Sequence, residues 1–175
     1  MEFPYYCLYI IIFFINFKGN PLSTGNIYYW RDVSMKKIYL DNCSFNRPYD
    51  SQNHLLVKIE TIAKFNIQDA IRNREYILVW SFILDYENSF NTPDKAENIL
   101  KWRDIALTNV KYNDIIFLIA KEIMLKGISE ADALHLASAI YAETDYFITV
   151  DKKLLKYKDK RIMIINPINF IERVK

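Results

Sequence analysis

Glycine, histidine and cysteine are scarce in this chain: three glycines, two histidines (His54 and His135) and two cysteines (Cys7 and Cys43) in 175 residues. Three scattered glycines do not make a glycine-rich phosphate cradle. The few His and Cys form no zinc-ligand cluster, and no Ser-His-Asp set is legible in local sequence. Charge of one sign is lacking too, since the net charge of +2 gives no global field of the kind that marks a nonspecific nucleic-acid binder. The balance of 51% hydrophobic and 25% charged residues is that of an ordinary globular protein. The length suits one domain with a sizeable core rather than two. Any catalysis therefore falls mainly to carboxylates.

Composition breaks at Met35. The first 34 residues are rich in aromatics (Phe3, Tyr5, Tyr6 and Tyr9 through Tyr28, Tyr29 and Trp30) and hold Gly19 and Gly25, whereas only Gly127 follows the break. The apolar run Tyr5 to Phe17 is short of the ~20 residues a membrane-spanning helix needs. As an export signal it lacks a basic start, and Asn16-Phe17-Lys18-Gly19 is no small-residue cleavage site. A third reading starts translation at Met35. Trp30 is encoded UGG, and an AGA or AGG codon for Arg31 then makes a GGAG ribosome-binding sequence three codons (Asp32, Val33, Ser34) ahead of Met35, given a bacterial source. The expected organisation is a doubtful extension over 1–34, membrane-associated only if genuine, and one domain over 35–175. Cys43, the one cysteine of that domain, suits a reducing cytoplasm.

From Met35 strands alternate with helices. Lys37-Ile38-Tyr39-Leu40 reads as a strand ending at Asp41, followed by a loop over 46–50. Leu55, Leu56, Ile59, Ile62, Ala63, Ile67, Ala70 and Ile71 recur at helical spacing over about 51–72. Residues 76–80 are a buried-strand candidate and 82–91 look helical. Thr92-Pro93 opens a helix to about Leu107, and Asn113 caps another over 115–126, which Gly127 ends. Ser129 caps a helix to about Glu143. Residues 145–150 form a strand, 152–157 a short helix and 162–165 a last strand, and Pro167 starts a terminal helix. Continuously apolar strands separated by helices predict a three-layer α/β/α sandwich around a parallel sheet of about four to five strands.

Ligands of such sheets bind beyond the carboxyl ends of the strands. Asp41 and Asp151 each follow a strand end, Asp132 lies in the first turn of the helix opened by Ser129, and Glu87 sits on the helix after the strand ending near Trp80. Gathered on one rim, such carboxylates repel by several kcal/mol per pair at about 4 Å, which a hard divalent cation, Mg²⁺ or Mn²⁺, relieves. Each residue has a plain structural reading as well. Asp132 can complete a capping box with Ser129, Asp151 can cap the helix after it, Asp41 can serve a turn, and Glu87 can be a solvated charge. Only their joint placement favours a site.

Three segments resemble the signature segments of PIN domains, above all those of small bacterial VapC-like toxins and their solitary relatives. They are Ile38-Tyr39-Leu40-Asp41, the run Ala131-Asp132-Ala133-Leu134-His135-Leu136-Ala137-Ser138-Ala139, and Thr144-Asp145-Tyr146-Phe147-Ile148-Thr149-Val150-Asp151 with Lys152-Lys153-Leu154. The resemblance covers Met35 to the C-terminus. Its D-A-x-H-x-A-x-A and D-x-F-x-T-x-D-x-x-L patterns are specific, whereas Glu87 is placed by order and context alone. It implies that Asp41, Glu87, Asp132 and Asp151 form a catalytic metal site for Mg²⁺ or Mn²⁺, that Thr149 supports Asp151, and that the activity is hydrolysis of RNA phosphodiesters to a 3′-hydroxyl and a 5′-phosphate. Asn42 stands where a hydroxyl residue often follows the first Asp, which alters a supporting hydrogen bond. Asp145 reads as structural, and His135 as a packed helix residue.

Lys152, Lys153, Lys156, Lys158, Lys160 and Arg161 crowd just past Asp151 and offer phosphate contacts, with a solvated helix and turn as the plain reading; Arg47 and Tyr49 are weaker candidates for facing RNA. The apolar residues of the 51–72 helix exceed what one sheet face needs, which leaves room for a homodimer, a groove for a cognate antitoxin as the resemblance implies, or a plain core helix. The rival to a nuclease is a non-catalytic RNA- or protein-binding module on the same fold. An aspartyl-phosphate phosphatase fits worse, because its D-x-D motif needs Asp where this chain has Cys43.

Overall fold

Five parallel strands, β1 (Lys37–Leu40), β2 (Ile77–Ser81), β3 (Thr108–Val110), β4 (Tyr146–Ile148) and β5 (Met163–Ile165), form one sheet in the order β3-β2-β1-β4-β5. The computed structural model describes residues 35–174; the expectations for 1–34 lie outside the described residues. Seven helices flank the sheet: α1 (Asn42–Asn46), α2 (Leu55–Arg72), α3 (Phe82–Asn88), α4 (Pro93–Ile105), α5 (Asp114–Met124), α6 (Glu130–Tyr141) and α7 (Pro167–Val174). Two 3₁₀ turns, Arg47–Tyr49 and Leu154–Lys156, complete the inventory of the described residues.

Strand β1 explains why the sheet is covered on both sides. Ile38, Tyr39 and Leu40 point alternately to opposite faces, yet all three are fully buried. Tyr39 stacks on its neighbour Phe147 at 5.2 Å and meets His135 of α6 on one face. On the other, Tyr146, the register partner of Ile38, meets Phe170 of α7. Helix α5 packs on α6 and α2 on α7, so two helical layers enclose the sheet as the periodicity predicts. Ala133, Ala137 and Ala139 are all fully buried, and their small side chains let α6 lie close against the sheet.

Three expectations need correction. The helix over 51–72 begins at Leu55, with residues 51–54 in a turn. The strand Thr108–Val110 lies within a stretch with no strand pattern in the sequence; at three residues with an exposed central Asn109, it is an edge strand held by pairing with β2. Helix α1 is likewise too short to show a period, and forms because Oδ1 of Asp41 accepts the Ser44 N–H at 2.8 Å. Gly127 follows α5 with φ +84, the left-handed conformation that ends a helix most cheaply at glycine. The surplus of apolar residues on α2 is present: Leu55, Leu56, Ile59, Ile62 and Phe65 are exposed. Among the described residues no helix is long and apolar enough to cross a membrane.

Candidate active site at the switch point of the sheet

Strand order reverses at β1 and β4: from β1 the chain proceeds outward to β2 and β3, and from β4 outward in the opposite direction to β5. The crevice beyond the carboxyl ends of such a strand pair is the usual ligand position in open parallel sheets. Asp41 leaves β1 there, and Thr149 and Asp151 leave β4. The Asp41 N–H donates to the Ile148 carbonyl at 3.2 Å, continuing the ladder one residue past the strand, and Ser44 Oγ donates to the same carbonyl at 3.0 Å.

Asp41 is only 3% exposed. Burial raises its pKa above the ordinary carboxylate value, against hydrogen bonds from Thr149 and Ser44 and the field of His135 that act to lower it. Thr149, fully buried, works in two directions: its Oγ1 accepts the Asp151 N–H at 2.9 Å while its hydroxyl serves Asp41. Asp151 Oδ1 accepts the N–H groups of Lys153 (2.6 Å) and Leu154 (3.0 Å), capping the 3₁₀ turn as its plain reading foresees.

Glu87 comes from α3 and meets His135 of α6, with its Oε2 at 2.9 Å from Nε2. A carboxylate only accepts, so Nε2 carries the proton. In a neutral imidazole Nδ1 then accepts from the Tyr39 phenol at 2.7 Å, and that phenol accepts from Ser81 Oγ at 2.6 Å. The phenol keeps its proton because burial pushes its pKa well above the ordinary value. Burial disfavours the Glu87 charge, yet hydrogen bonds from His135 and Asn42 outweigh it and hold Glu87 below the usual carboxylate value. His135 is thus a packed helix residue, 2% exposed, that also orients a candidate site residue, a contact the sequence does not reveal. The amide of Asn42 binds Glu87 while its Oδ1, also buried, has no partner among the described residues.

Asp132 sits in the first turn of α6, where its Oδ2 accepts from Ser129 Oγ at 2.5 Å and its N–H faces the same hydroxyl at 3.4 Å. The capping reading of Asp132 therefore holds in part, although its carboxylate takes the hydroxyl rather than the backbone N–H.

Cys43, two residues past Asp41, feels the charge of all four carboxylates. Partial burial, then Asp41, Asp151, Glu87 and Asp132 in that order, push its thiol up to about 12. Among the described residues, none of the four pairs with a lysine or arginine; the one ring nitrogen that meets any of them is His135 Nε2, on Glu87. A cleft of about 330 Å³ opens beside them, lined by Cys43, Asn46, Arg47, Asp50, Val150 and Asp151. The larger cleft, about 700 Å³ around Asp145 and Met163, lies at the opposite, amino ends of β4 and β5. An all-oxygen donor set without a counter-charge, beside an unpartnered Asn42 Oδ1, fits a hard divalent cation in its chemistry. Among the described residues, however, no group of three or more His, Cys, Asp or Glu side chains is placed to hold a metal ion.

The expected RNA contacts divide. Lys152, Lys153 and Lys156 are exposed and make no ion pair among the described residues. Arg47, expected to face RNA, is instead held by Asp50 at 2.8 Å and by Glu60 at 2.9 Å, its charge spent inside the protein. Arg161 is likewise engaged, by Asp159 and Glu122. Asp145 is structural as read, accepting the Lys37 N–H at 2.8 Å.

No protein-family model matches the chain, and neither does any curated protein. Among solved structures, VapBC2 from Rickettsia felis bound to a DNA fragment from their promoter is similar at 16% identity with a TM-score of 0.46, the match covering 74% of this chain and 98% of that one.

Proposed function

We propose that residues 35–175 form a PIN-like, metal-dependent ribonuclease that hydrolyses RNA phosphodiesters. The observation that carries this reading is the placement of Asp41 and Asp151 just past the carboxyl ends of the paired strands β1 and β4, with Glu87 held by His135 of the helix that carries Asp132 and no lysine or arginine paired to any of the four among the described residues. The signature segments around Asp41, Asp132 and Asp151 support it from the sequence side. Asp41, Glu87, Asp132 and Asp151 would hold Mg²⁺ or Mn²⁺, which when bound activates water and stabilises charge on the phosphate oxygens. The chain's own part is positional. Thr149 ties Asp41 to the Asp151 backbone, while Tyr39 and His135 fix the direction of Glu87. Asn42 supports Glu87 from the other side, and Lys152, Lys153 and Lys156 offer cations to a strand entering past Asp151. A toxin role in the cytoplasm, with an antitoxin or a second copy covering the apolar stripe of α2, is the biological setting this reading suggests.

Purified protein should degrade RNA with added Mn²⁺ and stop on addition of EDTA. Asp41→Asn and Asp132→Asn should each abolish cleavage while the circular dichroism spectrum stays unchanged. Cleavage that persists in both variants sinks the proposed site. A non-catalytic RNA- or protein-binding module is the second reading, favoured by the capping bonds that already occupy Asp132 and Asp151. RNA bound but not cut under any divalent metal would select it.

A further inference from the structure

A second polar cleft lies on the far side of the Arg47–Tyr49 turn, between α2 and α4. It holds about 380 Å³, with Tyr49, Lys64, Phe65, Gln68, Arg72 and Trp102 among its lining residues. Lys64, Gln68 and Arg72 are spaced four residues apart, so they stand one above another on one face of α2. Each brings nitrogen donors and none a carboxylate.

One of these donors, Gln68 Nε2, is buried with no partner, and the side chain that carries another, Lys64, is nearly covered. Lys64 is 5% exposed and makes no ion pair or hydrogen bond among the described residues; its ammonium lies only over the rings of Phe65 (5.0 Å) and Phe45 (5.8 Å). Gln68 is 2% exposed and its Nε2 has no hydrogen-bond partner. Leaving such groups unmet is costly, which makes an external acceptor the natural completion. Arg72 is anchored rather than idle: Nη1 binds Asp69 at 3.0 Å and the guanidinium stacks on Trp102, 4.5 Å from its ring centroid. Burial, with a smaller contribution from Arg72, lowers the Lys64 pKa to about 7, the behaviour of an ammonium that lacks its counter-ion. Two carboxylates of α2 near this row are already taken, Asp69 by Arg72 and Glu60 by Arg47 and Asn166.

The ligand's chemistry follows from the walls. A little over two helical turns separate Lys64 from Arg72, about 12 Å along the axis, more than one carboxylate spans. Tyr49 and Phe65 are half exposed at the rim, and Lys95 lies 5.1 Å over the Tyr49 ring. Aromatic faces beside a row of N–H donors suit a phosphate that carries a flat heterocycle. We propose that this cleft binds the phosphate of a nucleotide, with Lys64 and Gln68 donating to the phosphate oxygens and an aromatic face taking the base. The phosphate belongs either to a free mononucleotide or to a residue of an RNA strand. The proposal does not depend on the carboxylate site or on any cleavage.

The test is ¹⁵N NMR of the full chain in EDTA, reading the Gln68 side-chain amide and the Trp102 indole N–H during titrations. The probes are uridine 5′-monophosphate, uridine, acetate and a short single-stranded RNA lacking terminal phosphates. Saturable shifts with the monophosphate and not with uridine support the proposal and assign a free nucleotide. Shifts with the RNA alone support it and assign a strand phosphate. Lys64→Met should weaken whichever probe binds by about tenfold, the loss of one charge-assisted hydrogen bond. It should also melt no lower than wild type, since it removes a charge without an ion pair from a nearly covered side chain. Gln68→Leu, similar in shape, should weaken binding in the same direction. The proposal is overturned by silence from both phosphate probes, by equal shifts with uridine and its monophosphate, or by a Lys64→Met protein that binds as well as wild type. Acetate acting as well as the monophosphate also overturns it, and would point to an acidic peptide instead.

Discussion

Asp41 pays for its position with an uncomfortable charge. Its pKa is raised by burial, so the folded protein holds the Asp41 proton more tightly than the unfolded chain does. Stability from this group is therefore greatest in acid and falls as pH rises through the raised pKa. Asp41→Asn keeps an oxygen to accept the Ser44 N–H, and should melt above wild type at pH 7 with the advantage vanishing near pH 3, as followed by calorimetry; an equal difference at both pH values would remove ionisation as the cause. Thr149 belongs to the same scale. Thr149→Val deletes the hydroxyl that joins Asp41 to the Asp151 backbone, and should lower Mn²⁺-dependent cleavage by about 10- to 100-fold, the usual effect of losing a supporting hydrogen bond around a metal site. Asp41 and Asp151 are legible in the sequence because each directly follows an apolar strand. Glu87 is legible only by order, because the contact that holds it, His135 on α6, is 48 residues away. Lys64 and Gln68 read as ordinary polar positions of an amphipathic helix; nothing local says that the chain folds over them.

Elements with a strong period declare themselves, and those made by their neighbours do not. Helices α2, α5 and α6 follow from spacing and caps, with Asn113 accepting the Ile116 N–H at 3.0 Å as its position suggests. Strand β3 and helix α1 exist because β2 and Asp41 respectively supply partners, information that lies outside their own residues. The stop signal at the end of α5 gives a direct test. A Cβ on Gly127 meets nothing within 4 Å, so only its positive φ opposes substitution. Gly127→Ala should cost about 1 kcal/mol in urea unfolding, the left-handed penalty alone. A cost near zero would show that the turn relaxes to negative φ.

For the molecule as a whole, the proposed metal site has a thermal test, because a cation that binds only the folded chain adds to its stability. A bound metal at about 100 times its dissociation constant adds about 2.7 kcal/mol, several degrees for a domain of this size. Mn²⁺ should therefore raise the melting temperature of wild type, EDTA should reverse the rise, and Asp132→Asn should show little of it. An equal rise in wild type and Asp132→Asn would place the metal elsewhere.

Among the described residues, the first strand in chain order is the middle strand of the sheet. Asp41 leaves the ribosome early, but the carbonyl that takes its N–H, at Ile148, and the hydroxyl that steadies its carboxylate, at Thr149, are synthesised more than a hundred residues later. At about 5–20 residues per second, β1 waits several seconds for one of its two neighbours. A chain cut short before Ile148 carries Asp41, Glu87 and Asp132 but lacks the β4 partners of Asp41. The contacts that hold Asp41 in the crevice are thus completed only once β4 and the residues that follow it exist.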